Sequence, residues 1–150
     1  MKITRARFTL SPFTSETMAN IGKVLAKSMR DRIGSGLNAL DRNAKPLKPG
    51  RTGRNGQELR GYPDYKQYRG LQPIRDWLYS GRTLRSLQVL SVNQNRGTIG
   101  FTDAKADQIA HFNNLIEKAF AVSPKDAIAL QQAVYSTFKQ ERLVQFRRVA

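Results

Sequence analysis

Few residues in this chain have types and spacings suited to bond chemistry. There is one histidine, His111, in the run Ile109-Ala110-His111-Phe112-Asn113-Asn114, and there is no cysteine. Without cysteine there is no disulfide framework, no thiol nucleophile and no Cys-ligated zinc. One histidine cannot build a multi-His metal centre within one chain. A catalytic triad around His111 would need a nucleophile and an orienting acid beside it, and a lone histidine between apolar neighbours on a helix is ordinarily structural. The eleven Asp and Glu residues are scattered, and no spacing selects a pair for acid–base work. The glycines of Arg51-Thr52-Gly53-Arg54-Asn55-Gly56-Gln57 are not expected to follow a strand and open a helix, as a phosphate-binding turn requires. No G-x-x-x-x-G-K-[ST] loop is present. The expectation is no catalysis, no cofactor and no metal.

Binding chemistry is better represented. The chain has 150 residues, and 26 Lys and Arg against 11 Asp and Glu leave a net charge of +15. Residues 42–85 hold 11 of those cations and 3 of the acids, so more than half of the excess lies there. The same stretch holds 6 of 11 glycines, 4 of 6 prolines, four of five tyrosines and the only tryptophan, Trp77. Aromatic rings stack on exposed bases and arginine pairs with phosphates. The same residue types also dominate protein interfaces. The candidate partner-binding residues are Arg42, Lys45, Lys48, Arg51, Arg54, Arg60, Tyr62, Tyr65, Tyr68 and Arg69. An arm that orders on a partner loses conformational entropy, so it needs anchors. Leu59 and the three tyrosines suit that role, and the arginines would select an acidic neighbour.

Regular elements must position this stretch. Ala6, Phe8 and Leu10 alternate, which predicts a short strand or extended arm. Met18, Ile21, Leu25, Met29, Ile33, Leu37 and Leu40 follow at spacings of 3 and 4, which predicts a long amphipathic helix reaching residue 33 and continuing toward 41. Ser11, Thr14 and Ser15 are its candidate caps. Residues 42–61 have no periodicity and are broken by Pro46, Pro49, Gly50, Gly53 and Gly56, so they read as an extended surface loop. Ile74, Trp77 and Leu78 suggest a helical turn that Gly81 ends. A β-hairpin is expected near 86–101, with Leu87, Val89 and Ser91 on one face and Leu90 and Val92 on the other. Asp103 can cap a helix with Ala106, Ile109, Ala110, Asn113, Ile116 and Phe120 facing inward. Ser123, Pro124 and Asp126 form a helix start. Ala127, Leu130, Val134 and Phe138 continue inward from it. The fold expected is α+β in one domain, 1–150: a long N-terminal helix, a small antiparallel sheet, C-terminal helices and a basic arm at 42–70 between helix and sheet.

The order of these features resembles the tail-completion, or virion-morphogenesis, proteins of tailed bacteriophages. The likeness rests on Asp41, Lys45, Pro46, Leu47, Lys48 and Pro49, then Ser80–Val89 (SGRTLRSLQV), the hairpin ending in Ile99-Gly100-Phe101, and the Ala104–Asn113 segment (AKADQIAHFN). Gly81, Leu84, Ser86 and Leu87 approximate that family's G-x-L-x-x-S-L element. His111 fits its A-x-x-H-x-x-G element, with Asn114 where glycine is common. AFAVSPKD replaces the proline- and arginine-rich segment that often follows.

The resemblance implies a non-catalytic structural protein that forms a ring at the head–tail junction and joins tail to head. It implies copies of itself, portal-adaptor proteins and tail-tube proteins as partners, with DNA passing through the lumen. Such a protein resides in the virion, and in the host cytoplasm during assembly. No apolar run reaches the roughly 18 residues that a membrane span requires, and MKITRARFTL lacks a signal-peptide core, so no membrane is expected. The alternative reading is a basic nucleic-acid-binding protein using residues 42–85.

Overall fold

This computed structural model describes residues 6–9, 13–45, 52–54, 57–59, 62–71, 73, 81–93 and 96–149. Side chains at 6–9, 52–54, 57–59, 62–63 and 141–149 lie outside the description. The elements are β1 (Ala6–Thr9), α1 (Ser15–Gly34), β2 (Thr52–Arg54), β3 (Gln57–Leu59), α2 (Tyr62–Tyr68), α3 (Arg82–Ser86), β4 (Leu87–Val92), β5 (Arg96–Phe101), α4 (Ala104–Ile116) and α5 (Pro124–Val149). The fold is α+β, as expected.

Helix α1 begins at Thr14, whose hydroxyl accepts the Thr17 amide at 3.1 Å. Met18, Ile21, Leu25, Met29 and Ile33 then fall on one face, each at most 1% exposed. Burying side chains of this kind contributes about 1.5–3 kcal/mol each, so this stripe holds the helix to its support. That support is an antiparallel sheet ordered β1-β5-β4. Leu87 of β4 and Ile99 and Phe101 of β5 meet the α1 stripe, and Phe120 packs edge-on to Phe101 at 5.3 Å between ring centres. Arg30 adds a tether, donating to the Leu87 carbonyl at 2.7 Å.

The helix stops at Gly34, short of residue 41. Gly36 has φ +76° and Asp41 φ +57°, both left-handed. Leu37 instead bridges Asn43, and Leu40 is 66% exposed. The apolar spacing of Leu37 and Leu40 therefore belongs to a turn rather than to a helix.

The hairpin is present with one correction. Val89 pairs with Ile99 and Ser91 with Thr98, so Leu90 is an extra residue in a β-bulge. The bulge resets the phase. Leu87, Val89 and Val92 face the core, and Ser91 is exposed. Strict alternation placed Ser91 with Leu87 and Val92 on the far side.

The extended loop expected over 42–61 also needs correction. It contains a second antiparallel hairpin, β2 with β3, pairing Thr52 with Leu59, Gly53 with Glu58 and Arg54 with Gln57. Short helix α2 follows, opening at Tyr62 with Pro63 in its first turn. The expected turn at Ile74, Trp77 and Leu78 lies outside the described residues.

Helix α4 starts at Asp103, whose carboxylate accepts the Ala106 amide at 2.9 Å. Its buried face is Ala106, Asp107 and Ala110; Ala106, Ala110 and, beyond the helix, Phe120 are buried as expected, but the two isoleucines of the expected set are not. Ile109 and Ile116 are 38% and 56% exposed. Helix α5 packs antiparallel on α1, with Asp126 near Arg32 at one end and Phe138 edge-on to Phe13 at 6.0 Å at the other. No described helix is long and apolar enough to cross a membrane.

Candidate assembly interface

The arm leaves the body through residues 35–45, which are fastened to the junction of α4 and α5. The Asn38 side chain is the hub. Its amide donates to Glu117 Oε1 at 2.8 Å, and its carbonyl accepts the backbone amides of Leu40 and Arg42 at 2.9 and 3.2 Å. This is the local turn that asparagine favours. The other Glu117 oxygen accepts the Lys45 amide at 2.8 Å. Backbone bonds from Ala39 to the Lys118 carbonyl, 2.8 Å, and from Ala44 to the Gly36 carbonyl, 2.7 Å, complete the base.

Asp41 locks the same base to α5. Its Oδ2 accepts the Lys125 amide at 3.0 Å. Burial alone would raise its pKa. Hydrogen bonds from the Lys125 amide and the Ser123 side chain, with the charges of Lys125 and Arg32, outweigh burial and hold it below the ordinary value.

The α4–α5 junction is itself fixed from beneath. Ser123 and Asp126 cap α5 reciprocally: Ser123 N donates to Asp126 Oδ2 at 3.0 Å and Asp126 N to Ser123 Oγ at 3.1 Å. Ser28 donates to Asp126 Oδ1 at 2.7 Å. Arg32 donates to Asp126 and to the carbonyls of Leu37, Ala119 and Ala121. Asn114 accepts the amides of Ala119 and Phe120, both at 3.0 Å. Asparagine at 114 thus closes the end of α4 by side-chain hydrogen bonding, where glycine would act through backbone freedom.

The predicted site residues are distributed as follows. Arg42 and Lys45 stand at the base with exposed side chains. Tyr68, 67% exposed, and exposed Arg69 adjoin at the end of α2, and Tyr65 is half-buried one turn before. Arg54 lies in β2 and Tyr62 opens α2, with side chains outside the description. Lys48, Arg51 and Arg60 lie outside the described residues altogether. Arg42 and Lys45 thus share the arm base, and Tyr68 and Arg69 are chain neighbours at the end of α2.

His111 is half-buried with its ring edge-on to Phe112 at 6.0 Å. Among the described residues no three His, Asp or Glu side chains converge on a common point. On α3, Arg82 donates to Asp103 at 2.6 Å. The Ala106 amide, then the Arg82 hydrogen bond and charge, hold Asp103 below its ordinary pKa against a smaller desolvation effect.

Sequence reading missed Asn38 and Glu117, which look like ordinary polar surface residues until the fold joins them. It also missed the outer face of α4, where Ile109, Phe112, Leu115 and Ile116 stand in water. Their spacing was visible. The clue to which stripe faces out was Ala106 and Ala110, because α4 approaches α3 and β5 closely and only small side chains fit there.

Compared with protein-family models, with curated proteins and with solved structures, the chain matches none.

Proposed function

We propose that this chain is a structural subunit of a tailed-bacteriophage neck, of the tail-completion type, that forms a ring and joins tail to head. The observation that carries the reading is the fastened arm. A basic segment holding its own hairpin, β2–β3, departs from a base tied to the body through Asn38, Asp41 and Glu117. A ring subunit needs a body that fixes position and a second surface that reaches a neighbour, since unlike surfaces on one chain close head-to-tail rings. A firm base gives a reaching arm a defined origin. Its charge suits an acidic neighbouring ring. DNA is better left to slide, because cations in the lumen would hold phosphates and slow its exit.

The test is genetic and visual. Particles assembled with a chain lacking residues 45–60 should yield full heads and separate tails, while the purified variant keeps a cooperative melt. Particle imaging with the intact chain should find it at the head–tail junction. Normal joining by the deletion variant sinks the arm's role, and absence from the junction sinks the reading.

The charge of +15, with exposed Tyr68 beside exposed Arg69, favours a second reading as a nucleic-acid binder. It requires binding that weakens by about 10³–10⁵ from low to moderate salt, as for six to ten phosphate contacts. A shallow salt slope argues against it.

A further inference from the structure

The outer face of α4 is an apolar ridge with cations at both ends. Ile109, Phe112, Leu115 and Ile116 recur at helical spacing and are 38%, 64%, 71% and 56% exposed. They lie opposite Ala106, Asp107 and Ala110, the buried side of the helix. Four large side chains on one face leave a few hundred Å² of apolar surface in water, the size of patch that marks an interaction site.

Exposed Lys105 continues the ridge line one turn before Ile109, with spacings of 4, 3 and 4 running from Lys105 through Ile109 and Phe112 to Ile116. At the other end the arm base brings in Lys45, whose ammonium lies 3.5 Å from the Ile116 carbonyl. Arg42 stands exposed in the same base. So does Lys118, whose carbonyl holds the Ala39 amide. Among the described residues none of these four cations is in an ion pair. The carboxylates nearest in sequence are engaged or enclosed. Glu117 uses both oxygens on the Asn38 side chain and the Lys45 amide, Asp103 is held by Arg82, and Asp107 is buried.

The order along α4 is therefore cation, apolar ridge, cations, over about 17 Å from Lys105 to Ile116. We propose that this face docks an amphipathic helix of another protein, whose apolar stripe carries acidic residues at both ends, about three turns apart. Ridges of one helix pack between those of another, and an apolar stripe supplies the anchors. Carboxylates at the two ends meet the unpaired cations, fix the register and exclude other partners. A second copy is the wrong occupant. Laid antiparallel on itself, α4 would set the Lys105 of each copy against the arm-base cations of the other, and laid parallel it would set each cation on its own likeness. An anionic bilayer is also a poor match, because α4 has no Lys or Arg along the sides of the ridge, where a helix lying in a membrane surface carries them. This surface is on the body of the chain, and it does not depend on the neck reading.

The probe is a fluorescent synthetic peptide of about 20 residues, long enough to be helical, with a central leucine stripe and two glutamates in each end turn. Binding to the full-length chain is read by anisotropy at moderate salt. The probe should bind about tenfold more tightly than the same peptide with Lys for Glu, and about tenfold more tightly than one with Ser for Leu. Phe112→Ser and Leu115→Ser should each weaken it about tenfold, with unchanged melting because both side chains are already exposed. Lys105→Glu combined with Lys118→Glu should cut the preference for the Glu peptide about tenfold and tighten the Lys peptide. Lys23→Glu combined with Lys139→Glu changes the net charge equally at exposed sites on α1 and α5, and should leave that preference in place. The contrast separates docking on α4 from general attraction to a chain of charge +15. Equal binding of the Leu and Ser peptides, or an equal effect of the two charge pairs, would overturn the proposal. So would Phe112-dependent binding to vesicles of equal phosphatidylserine and phosphatidylcholine in place of the peptide, or Phe112-dependent self-association by sedimentation.

Discussion

Arg32 donates its Nε–H to Asp126 Oδ2 at 2.9 Å, joining the last turn of α1 to the first turn of α5 across 94 positions of sequence. Both side chains are buried, at 4% and 0% exposure. The guanidinium gives its remaining hydrogen bonds to three carbonyls, and the carboxylate also accepts from Ser28 and Ser123. The pair thus closes three chain segments at one point beneath the arm base.

Removing one member of this pair should be costly. Arg32→Met leaves Asp126 buried without its cation and strands three carbonyls. The expected loss is about 3–5 kcal/mol by urea unfolding. The double variant Arg32→Met with Asp126→Leu should lose less than the sum of the two single changes. Additive losses would mean that the two groups are not coupled.

Asp107 is the opposite case. It is 6% exposed, and its Oδ1 is buried with no hydrogen-bond partner. An unmet buried polar atom costs about 1–3 kcal/mol, and leucine has nearly the same shape. Asp107→Leu should raise stability by about 1 kcal/mol in the same assay. A loss of stability would show that the carboxylate has a use within the fold.

Acid should weaken the fold through Asp41 and Asp103, both held below their ordinary value of 3.8. A carboxylate with a lowered folded pKa stabilises fully above its unfolded value. That contribution disappears as pH falls through the lowered one. Melting temperature should therefore drop below about pH 4. Asp103→Asn keeps a capping side chain but cannot titrate, so its acid limb should be shallower. An unchanged acid limb would exclude Asp103 as a contributor.

Leu90 should be dispensable, and Gln88 should not. Without Leu90, Val89 and Val92 keep their inward phase against β5, and the variant should melt cooperatively. Without Gln88, Leu87 and Val89 become neighbours and one of them must turn to solvent. That variant should lose cooperative melting. Equal tolerance of the two deletions would contradict the register.

The legible parts were those with long periodicity or local capping chemistry. Met18 to Ile33 announced α1, and Asp103, Ser123 and Asp126 announced the starts of α4 and α5. Errors arose where one residue changed the phase or where two faces competed. Leu90 is invisible as a bulge in Leu-Gln-Val-Leu-Ser-Val, because every residue in that run is compatible with plain alternation. Ile109 and Ala110 both fit a helical stripe, and only the closeness of α3 and β5 selects the alanine. Gly53 reads as a breaker, yet it sits in β2 paired with Glu58 of β3, because cross-strand pairing overrides weak local preference. Of the candidate interface, the charge and aromatics were plain in the sequence. Asn38 to Glu117 spans 79 positions and emerges only from the fold.

The bulge at Leu90 bears on more than register. Strand β4 is one border of the three-stranded sheet, and β1, only four residues long, is the other. An unpaired border invites strand addition from a stranger, the first step toward cross-β fibres. A kinked border and a short one are both poor templates for it. Such borders favour contact through helices over fusion of sheets.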